Sequence, residues 1–159
     1  MTAMKILFVC TGNTCRSPLA EAVARKIAIE RGLAGVEAIS AGTSANDGSP
    51  ASDGSLLVGL ERNMDLGGHH SQTLTRDLVQ QSDLILAMGP HHLERIEALG
   101  GSGKAYLLAD YASRGASMRA ISDPIGAELE VYRATADELE EEIRRVLDRV
   151  TAERGSGAE

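Results

Sequence analysis

A cysteine and an arginine near the start of the chain are spaced so that they could bind and attack a phosphate group. Cys10 and Arg16 are separated by five residues, and they lie between an apolar segment typical of a buried strand and a helical pattern. Such a loop directs free backbone N–H groups and the positive end of a helix dipole toward one concavity, which favours a tetrahedral oxyanion. We therefore predict a phosphate-binding loop that consists of Thr11, Gly12, Asn13, Thr14, Cys15, Arg16 and Ser17.

Cys10 is the predicted nucleophile at the floor of this loop. A helix N-terminus and a nearby cation both favour the thiolate, which is the reactive form of cysteine. Arg16 can bind two phosphate oxygens at once, which a lysine could not do. The Ser17 hydroxyl can donate to the sulfur and stabilise it as a leaving group. The alternative is an inert buried cysteine beside an exposed arginine, although arginine rarely lies so close to a core strand.

Hydrolysis through a cysteine also needs an acid that protonates the leaving group and then activates water. Asp123 lies in a segment without periodicity, residues 109–127, and a loop of this length in a compact domain often forms or covers a site. Pro124 restricts the backbone beside this carboxylate. Other acids in predicted loops are Asp47, Asp53 and Asp110. Since Asp-Pro in a loop is often only a turn, chemistry alone leaves the choice among these acids open.

Other ligand classes are disfavoured by the spacing of the residues that they need. The segment Gly103-Lys104 lacks the rest of a Walker loop, and Gly101-Ser102-Gly103 lacks the third glycine of a dinucleotide fingerprint. The histidines form two adjacent pairs, His69-His70 and His91-His92, whose side chains would diverge on a strand or a helix. We therefore predict no metal site and no cofactor.

Composition narrows the possible partners. The formal net charge of −7 argues against a nucleic-acid partner, and no apolar run approaches the roughly 20 residues that span a bilayer. Two cysteines exclude a disulfide framework. We expect a monomeric cytoplasmic protein with a single domain over residues 1–152 and a flexible tail over residues 153–159.

Alternating strands and helices must position the loop and the acid. Predicted strands cover residues 4–10, 36–41, 83–88 and 104–108, and predicted helices cover residues 17–32, 54–64, 74–80 and 90–99. Ser17 is the predicted N-cap of the first helix, with Pro18 at its first position. A capping box at Thr135 and Glu138 predicts the start of the last helix. This order predicts an α/β fold, a three-layer sandwich with right-handed crossovers.

Four segments together resemble the low-molecular-weight protein tyrosine phosphatases, over about residues 4–150. These segments are Cys10–Pro18, Ser40–Thr43, Asp83–Met88 and Asp123-Pro124. The resemblance implies a flavodoxin-like fold with a central four-stranded parallel sheet, and metal-free hydrolysis of phosphorylated proteins, with inorganic phosphate or sulfate binding in the loop. By the same resemblance, Cys10 is the nucleophile, Arg16 the phosphate clamp and Asp123 the general acid. It further implies that the loop is braced by Asn13, Ser17, Ser40 and His69.

Within this family, the sequence is more similar to the bacterial protein-arginine phosphatases. The shared features are the nine residues from Cys10 to Pro18, Asp123-Pro124-Ile125-Gly126, Tyr132 and Asp137–Glu141. In that group the residue that matches Thr11 narrows the pocket toward phosphoarginine. Ile125 departs from both groups, in which an aromatic residue is common, so Thr11 and Ile125 are the predicted specificity residues. The loops 43–53 and 109–127 offer a phosphotyrosine ring only Tyr111 as an aromatic wall, which favours phosphoarginine over a strict tyrosine phosphatase.

Two further functions and the role of Cys15 stay open. In the family this cysteine can form a reversible disulfide with Cys10, which protects the nucleophile from over-oxidation, or it can simply fill space behind the loop. Arsenate reduction on the same fold would need an external thiol such as glutathione or mycothiol, because no cysteine follows Cys15. A phosphate-dependent binder or redox sensor without activity would need neither Arg16 nor Asp123.

Overall fold

Four strands and six helices alternate along the chain, and a computed structural model describes the backbone of residues 3–157 and the side chains of residues 3–154. The strands are β1 (Met4–Cys10), β2 (Val36–Gly42), β3 (Leu84–Ala87) and β4 (Ala105–Leu107). The helices are α1 (Arg16–Glu30), α2 (Asp53–Glu61), α3 (Arg76–Gln81), α4 (Pro90–Ala98), α5 (Leu108–Ala112) and α6 (Leu129–Gly157).

The strands form one parallel sheet in the order β2-β1-β3-β4, which confirms the predicted fold class. In the register, Cys10 pairs with Gly42 and Val9 pairs with Ala87, so the carboxyl ends of β1, β2 and β3 lie at one edge. The chain crosses to opposite sides of β1 to form β2 and β3. Ligand sites in open parallel sheets lie at such a switch point, and the loop after Cys10 begins there.

Helices cover both faces of the sheet because successive side chains of a strand point to opposite faces. Ile6 and Phe8 pack in the cluster that includes buried residues of α1, α5 and α6. Leu7 and Val9 pack on the other face with Val79 of α3 and residues of α4. All four of these β1 side chains are fully buried. The central strand therefore holds the start of the loop rigidly between two apolar layers.

Two predicted helix starts are wrong. Helix α1 begins at Arg16 and its N-cap is Cys15, which makes no side-chain capping bond; Ser17 is a buried residue inside the helix. The capping box also fails, because α6 begins at Leu129 and the Thr135 hydroxyl donates to the Val131 carbonyl within the helix at 3.0 Å. In both cases a hydroxyl side chain that could cap a helix has another partner in the folded chain.

The segment predicted to be an unstructured loop contains the short helix α5. Leu108, Tyr111 and Ala112 are buried in the same cluster as α6, so packing rather than a sequence period stabilises this turn of helix. The remaining elements lie within three residues of their predicted bounds.

The last helix includes residues 153–157, which are part of the predicted tail. Residues 158 and 159 lie outside the described residues, and the flexibility of this tail stays a prediction. Across residues 3–157, no helix combines the length and the apolar character that a membrane span requires.

Candidate active site

The loop after β1 exposes its amides on one side and anchors its carbonyls on the other. Backbone or side-chain donors of Thr43, Ser44, His69, Ser52 and Ser55 bind the carbonyl oxygens of Cys10, Thr11, Asn13, Thr14 and Cys15, respectively. Among the residues that the structure describes, no acceptor binds the amide N–H groups of residues 11–15. These donors lie at the N-terminus of α1, so the loop has the electrostatic character of an anion site.

Gly42 allows β2 to approach this loop closely. A Cβ atom at Gly42 would lie 2.4 Å from the Thr11 carbonyl oxygen and 2.9 Å from the Asn13 amide nitrogen. Real Cβ atoms do not approach backbone atoms so closely, and a side chain here would displace the loop. The glycine that ends β2 therefore sets the position of the loop backbone.

Asn13 is the centre of the hydrogen bonds that hold the loop. It is fully buried and adopts φ of 57°, a left-handed conformation that asparagine tolerates better than most residues. Its Nδ2 group donates to the hydroxyls of Ser17 at 2.8 Å and Ser40 at 2.9 Å. Its Oδ1 atom accepts the backbone N–H of Gln72 at 2.9 Å. One side chain thus connects the loop, α1, β2 and the segment before α3.

Two further contacts complete this bracing. His69 Nε2 lies 2.7 Å from the Asn13 carbonyl oxygen and donates to it, since a carbonyl only accepts. The Ser40 hydroxyl donates to Glu21 Oε1 at 2.7 Å. The structure thus brings together all four predicted bracing residues, Asn13, Ser17, Ser40 and His69. Sequence reasoning missed Gln72 and Glu21, because neither residue belongs to a recognisable sequence motif.

The thiol of Cys10 faces the first turn of α1. Its Sγ atom lies 2.9 Å from Ser17 Oγ, and both residues are buried. Because Ser17 Oγ already accepts a hydrogen bond from Asn13, its own proton is free to point at the sulfur. Ser17 therefore serves the thiol as a donor in place of the predicted capping role.

Arg16 brings the predicted acid to the loop. Its side chain is buried, Nη1 donates to the Ile121 carbonyl at 3.0 Å, and Nη2 lies 3.5 Å from Asp123 Oδ2. Arg16 Nε is buried and has no hydrogen-bond partner among the described residues. Asp123 also accepts the Ile125 N–H through Oδ1 at 3.1 Å, and its side chain is 42% exposed. A buried guanidinium and a partly exposed carboxylate therefore lie side by side.

The loop that carries Asp123 is anchored to the edge of the sheet. The Ile121 N–H donates to the Met88 carbonyl at 2.8 Å, and the Met88 N–H donates to the Val9 carbonyl at 3.0 Å. The rival acids have other positions: Asp47 accepts hydrogen bonds from Thr73, and Asp53 and Asp110 lie in the first turns of α2 and α5.

Thr11 has a partner that sequence reasoning missed. Its Oγ1 atom lies 2.8 Å from Nε2 of His92, a fully buried residue of α4. Burial, with contributions from His91 and Arg16, lowers the pKa of His92 from its ordinary value of 6.5 to about 4, and Asp123 partly opposes this shift. The imidazole is therefore neutral near pH 7. The only sequence signal was the pair His91-His92, and two adjacent histidines do not by themselves predict a contact with the loop.

Cys15 faces a different cluster from Cys10. Its Sγ atom lies 3.3 Å from Ser52 Oγ and 3.5 Å from the Tyr132 hydroxyl, and it packs with Val58 and Ala136. Burial is the largest cause that raises the pKa of Tyr132. Both cysteines carry free thiols. Cys15 therefore fills space between the loop, α2 and α6, and its redox role stays a prediction.

No aromatic side chain is exposed beside the loop. Tyr111 is buried with its hydroxyl donating to Glu153 and the Arg149 guanidinium 4.0 Å over its ring, so it is not the pocket wall that the sequence suggested. Burial raises the pKa of this tyrosine to about 12. The other three aromatic residues, Phe8, Tyr106 and Tyr132, are buried or half-buried. In contrast, Ile125 is 66% exposed and presents an aliphatic surface next to Asp123.

Within residues 3–154, no three side chains of histidine, cysteine, aspartate or glutamate lie close enough together to hold an ion.

Known proteins are similar to this chain over most of its length. The protein-family model described as "Low molecular weight phosphotyrosine protein phosphatase" matches residues 5–156. The "Protein-arginine-phosphatase" of Bacillus subtilis (strain 168) is 37% identical over 153 residues, which cover 95% of this chain and 99% of that protein. The "Low molecular weight protein-tyrosine-phosphatase PtpB" of Staphylococcus haemolyticus is 37% identical over 137 residues, 86% of this chain and 92% of that protein.

A solved structure has a fold similar to that of this chain over nearly the full length of both. It is that of YwlE arginine phosphatase with a serine in place of a cysteine, the active-site serine being phosphorylated. Its TM-score to this chain is 0.89 at 37% identity, and the match covers 95% of this chain and 98% of that one.

Proposed function

The chain belongs to the low molecular weight phosphotyrosine protein phosphatase family, and on this premise we propose that it hydrolyses phosphoarginine in proteins through a phosphocysteine intermediate. One observation carries the proposal: the buried thiol of Cys10, with the Ser17 hydroxyl 2.9 Å away, lies at the origin of a loop whose Arg16 pairs with Asp123. A nucleophile, an anion clamp and an acid thus meet at one loop.

In the first step, the Cys10 thiolate attacks phosphorus while the bond from phosphorus to the leaving group breaks. The free amides of residues 11–15 and the Arg16 guanidinium bind the phosphoryl oxygens, where negative charge must be stabilised in the transition state. Asp123 gives its proton to the leaving nitrogen of the phosphorylated guanidinium as the bond from phosphorus to nitrogen breaks, so that arginine departs as a guanidinium. The products of this step are phosphocysteine, an Asp123 carboxylate and the dephosphorylated side chain.

In the second step, water hydrolyses the phosphocysteine. The Asp123 carboxylate accepts a proton from the water as its oxygen attacks phosphorus, and the bond from phosphorus to sulfur breaks. The sulfur leaves as a thiolate, which the Ser17 hydroxyl stabilises by donating a hydrogen bond. Inorganic phosphate is released, and Asp123 is again protonated for the next substrate. The YwlE structure with a phosphorylated active-site serine in place of cysteine supports a covalent intermediate in that relative.

The surroundings of the loop favour arginine over tyrosine as the leaving group. A phosphotyrosine ring gains from aromatic walls, but every aromatic side chain of this chain is buried or half-buried. A guanidinium leaving group, by comparison, carries N–H groups that can donate hydrogen bonds to an oxygen of the partly exposed Asp123 carboxyl group and to the Thr11 hydroxyl. The B. subtilis relative is named for the same activity.

Kinetics on two matched peptides test this proposal. We expect kcat/KM to be higher for a phosphoarginine peptide than for the same peptide with phosphotyrosine. The Cys10→Ser variant should lose more than about 10⁴-fold in kcat on both peptides, because serine is a far weaker nucleophile at the same position. Activity of the serine variant close to wild type would contradict the cysteine mechanism. A preference for phosphotyrosine would retain the mechanism and contradict the substrate.

The proposal includes a monomer in the cytoplasm, with inorganic phosphate in the loop as the product. This part is motivated by the sequence, which has a formal net charge of −7 and no apolar run that approaches the length of a bilayer span. Light scattering of the purified protein tests whether it is a monomer. Inhibition of hydrolysis by added phosphate tests whether inorganic phosphate binds in the loop.

A further inference from the structure

The segment that carries Asp123 makes few contacts with the rest of the fold. Residues 117–124, which we call the acid loop, form neither helix nor strand, and the Asp123 side chain is 42% exposed. Within the described residues, the hydrogen bonds and ion pairs of positions 118–122 involve only Arg119 and Ile121. The backbone that presents Asp123 therefore depends on two anchors.

Ile121 is the anchor on the side of the sheet. Its N–H donates to the Met88 carbonyl at 2.8 Å, its carbonyl accepts Arg16 Nη1 at 3.0 Å, and its side chain is buried. All of these contacts are made by one residue, and the chain on either side of it can still rotate about two dihedral angles per residue. Ile121 alone therefore does not fix the direction of Asp123, two residues later.

Arg119 is the anchor on the side of the last helix. Its guanidinium pairs with Glu138 through Nη1, and with Glu142 Oε2 through Nη2 at 3.1 Å. The two glutamates are four residues apart and therefore lie on one face of α6. Leu139 and Ile143 of the same helix are fully buried, so this part of α6 is held firmly on the core. One side chain thus connects the acid loop to a rigid helix.

Glu142 is the one buried acidic residue in the part of the chain that the structure describes, with a side chain that is 4% exposed. Burial of a carboxylate is costly unless it is paired, and a buried ion pair seldom adds net stability over an apolar pair. Glu142 also binds Arg145 Nη1 at 3.2 Å, but Arg145 belongs to the same helix and cannot hold a loop. Buried pairs can instead select one arrangement of two segments, here the acid loop on α6.

We propose that Arg119 is a positioning residue that holds Asp123 beside the phosphate-binding loop, in place to protonate the leaving group. It does so through its ion pairs with Glu138 and Glu142. The inference rests on the proposed function, because it takes Asp123 as the acid. Arg119 acts through the backbone of the acid loop, in which Ile121 is the fixed point between the two residues. Together, the anchors on the sheet and on α6 set the direction of the carboxylate.

The first test compares two small substrates that differ in their leaving groups, phenyl phosphate and 4-nitrophenyl phosphate. Phenolate is the stronger base and needs a proton as it leaves, whereas 4-nitrophenolate can depart without one. Arg119→Gln should therefore lower kcat/KM about tenfold for phenyl phosphate and no more than about twofold for 4-nitrophenyl phosphate. In the Asp123→Asn background, Arg119→Gln should have no further effect on phenyl phosphate, because the acid is already gone.

Arg145→Gln is the matched control, because it removes the other partner of Glu142 without a change in the acid loop. Arg145 pairs with Glu141 and Glu142 of its own helix, and both kcat/KM values should stay within about twofold of wild type. Equal effects of Arg119→Gln and Arg145→Gln would overturn the proposal. A loss in Arg119→Gln that is equal for the two substrates would overturn it as well, since a purely structural defect lowers both. So would unchanged activity on phenyl phosphate.

A measurement without substrate separates this inference from the proposed function. The Ile121 N–H is the reporter, because its hydrogen bond to the Met88 carbonyl lies two residues from Arg119. Amide hydrogen exchange at Ile121 should be at least about tenfold faster in Arg119→Gln than in wild type, and unchanged in Arg145→Gln. Equal exchange in wild type and Arg119→Gln would overturn the inference. If the wild type hydrolyses no phosphate ester or phosphoramidate while exchange responds as expected, the proposed function fails and the anchor of the acid loop stands.

Discussion

Arg16 and Asp123 form an ion pair, with 3.5 Å between Nη2 and Oδ2. The arginine belongs to the first turn of α1 and the aspartate to the loop before α6, so the pair closes the site across the carboxyl edge of the sheet. The guanidinium is buried and the carboxylate is 42% exposed. This contrast fits a fixed clamp for phosphate beside an acid that a large protein substrate can reach.

Replacement of Asp123 by asparagine should reduce kcat by about 10²–10³-fold, because the leaving group would depart without a proton. The value of KM should change much less, since Arg16 and the loop amides still bind the phosphate. Steady-state kinetics on a phosphopeptide measure both parameters.

Asp53→Asn is the matched control for this change. Asp53 is exposed in the first turn of α2, and its loss should alter kcat by no more than about twofold. A similar kcat for Asp123→Asn and Asp53→Asn would remove Asp123 from the mechanism.

Thr11→Ile should shift the enzyme toward phosphotyrosine. The substitution removes the hydroxyl that contacts His92 and adds an apolar branch to the loop, and we expect the ratio of phosphoarginine to phosphotyrosine kcat/KM to fall by about tenfold. The same ratio in wild type and variant would mean that substrate choice depends on another residue, of which the exposed Ile125 is the next candidate.

Asn13→Ala should destabilise the fold by about 2–4 kcal/mol, because Ser17, Ser40 and the Gln72 N–H would all lose a buried partner. We also expect kcat to fall at least about tenfold, since Ser17 would no longer be held toward the thiol. Urea unfolding and phosphopeptide kinetics measure the two effects.

Asn63→Ala is a control in which alanine adopts the same unfavourable backbone conformation as in Asn13→Ala. Asn63 is exposed and has φ of 61°, against 57° for Asn13, so both substitutions place alanine in the left-handed region at about 1 kcal/mol. The difference between the variants therefore measures the hydrogen bonds of Asn13. If both lose the same stability, the hydrogen bonds around Asn13 contribute nothing to the fold.

His92 should make the stability of the protein depend on pH below neutrality. Its pKa falls from 6.5 to about 4 on folding, so the unfolded chain takes up the proton first as the pH decreases. His91 and Arg16 disfavour the charged ring and Asp123 favours it, but burial is the main cause. Stability is therefore unaffected above pH 6.5 and decreases toward pH 4, by at most about 1.4 kcal/mol per pH unit from this residue.

The measurement compares urea unfolding of wild type, His92→Gln and His70→Gln across this pH range. The wild type and the exposed His70 variant should lose stability in parallel, whereas His92→Gln should lose less. Parallel curves for all three proteins would show that the buried imidazole does not titrate as expected.

Most of the fold could be predicted because hydrophobic periodicity is a local property. Strand β1 is apolar on both faces and is buried on both, and the predicted apolar stripe from Leu139 to Val150 is buried in the core cluster. The errors occurred where packing overrides local signals. Helix α5 is too short to show a period, and the hydroxyls of Ser17 and Thr135 look like caps until their true partners are known.

The sequence by itself predicted the nucleophile and the clamp and determined that they lie together, since Cys10 and Arg16 belong to one continuous loop. The resemblance to a known family added Asp123 and the four bracing residues, and the family itself is confirmed. Only the tertiary structure decided that His92 holds Thr11, that Gln72 and Glu21 extend the bracing, and that Tyr111 is buried away from the pocket. Parallel strands bring the ends of distant segments to one edge, and contacts made there depend on distances that no spacing in the sequence encodes.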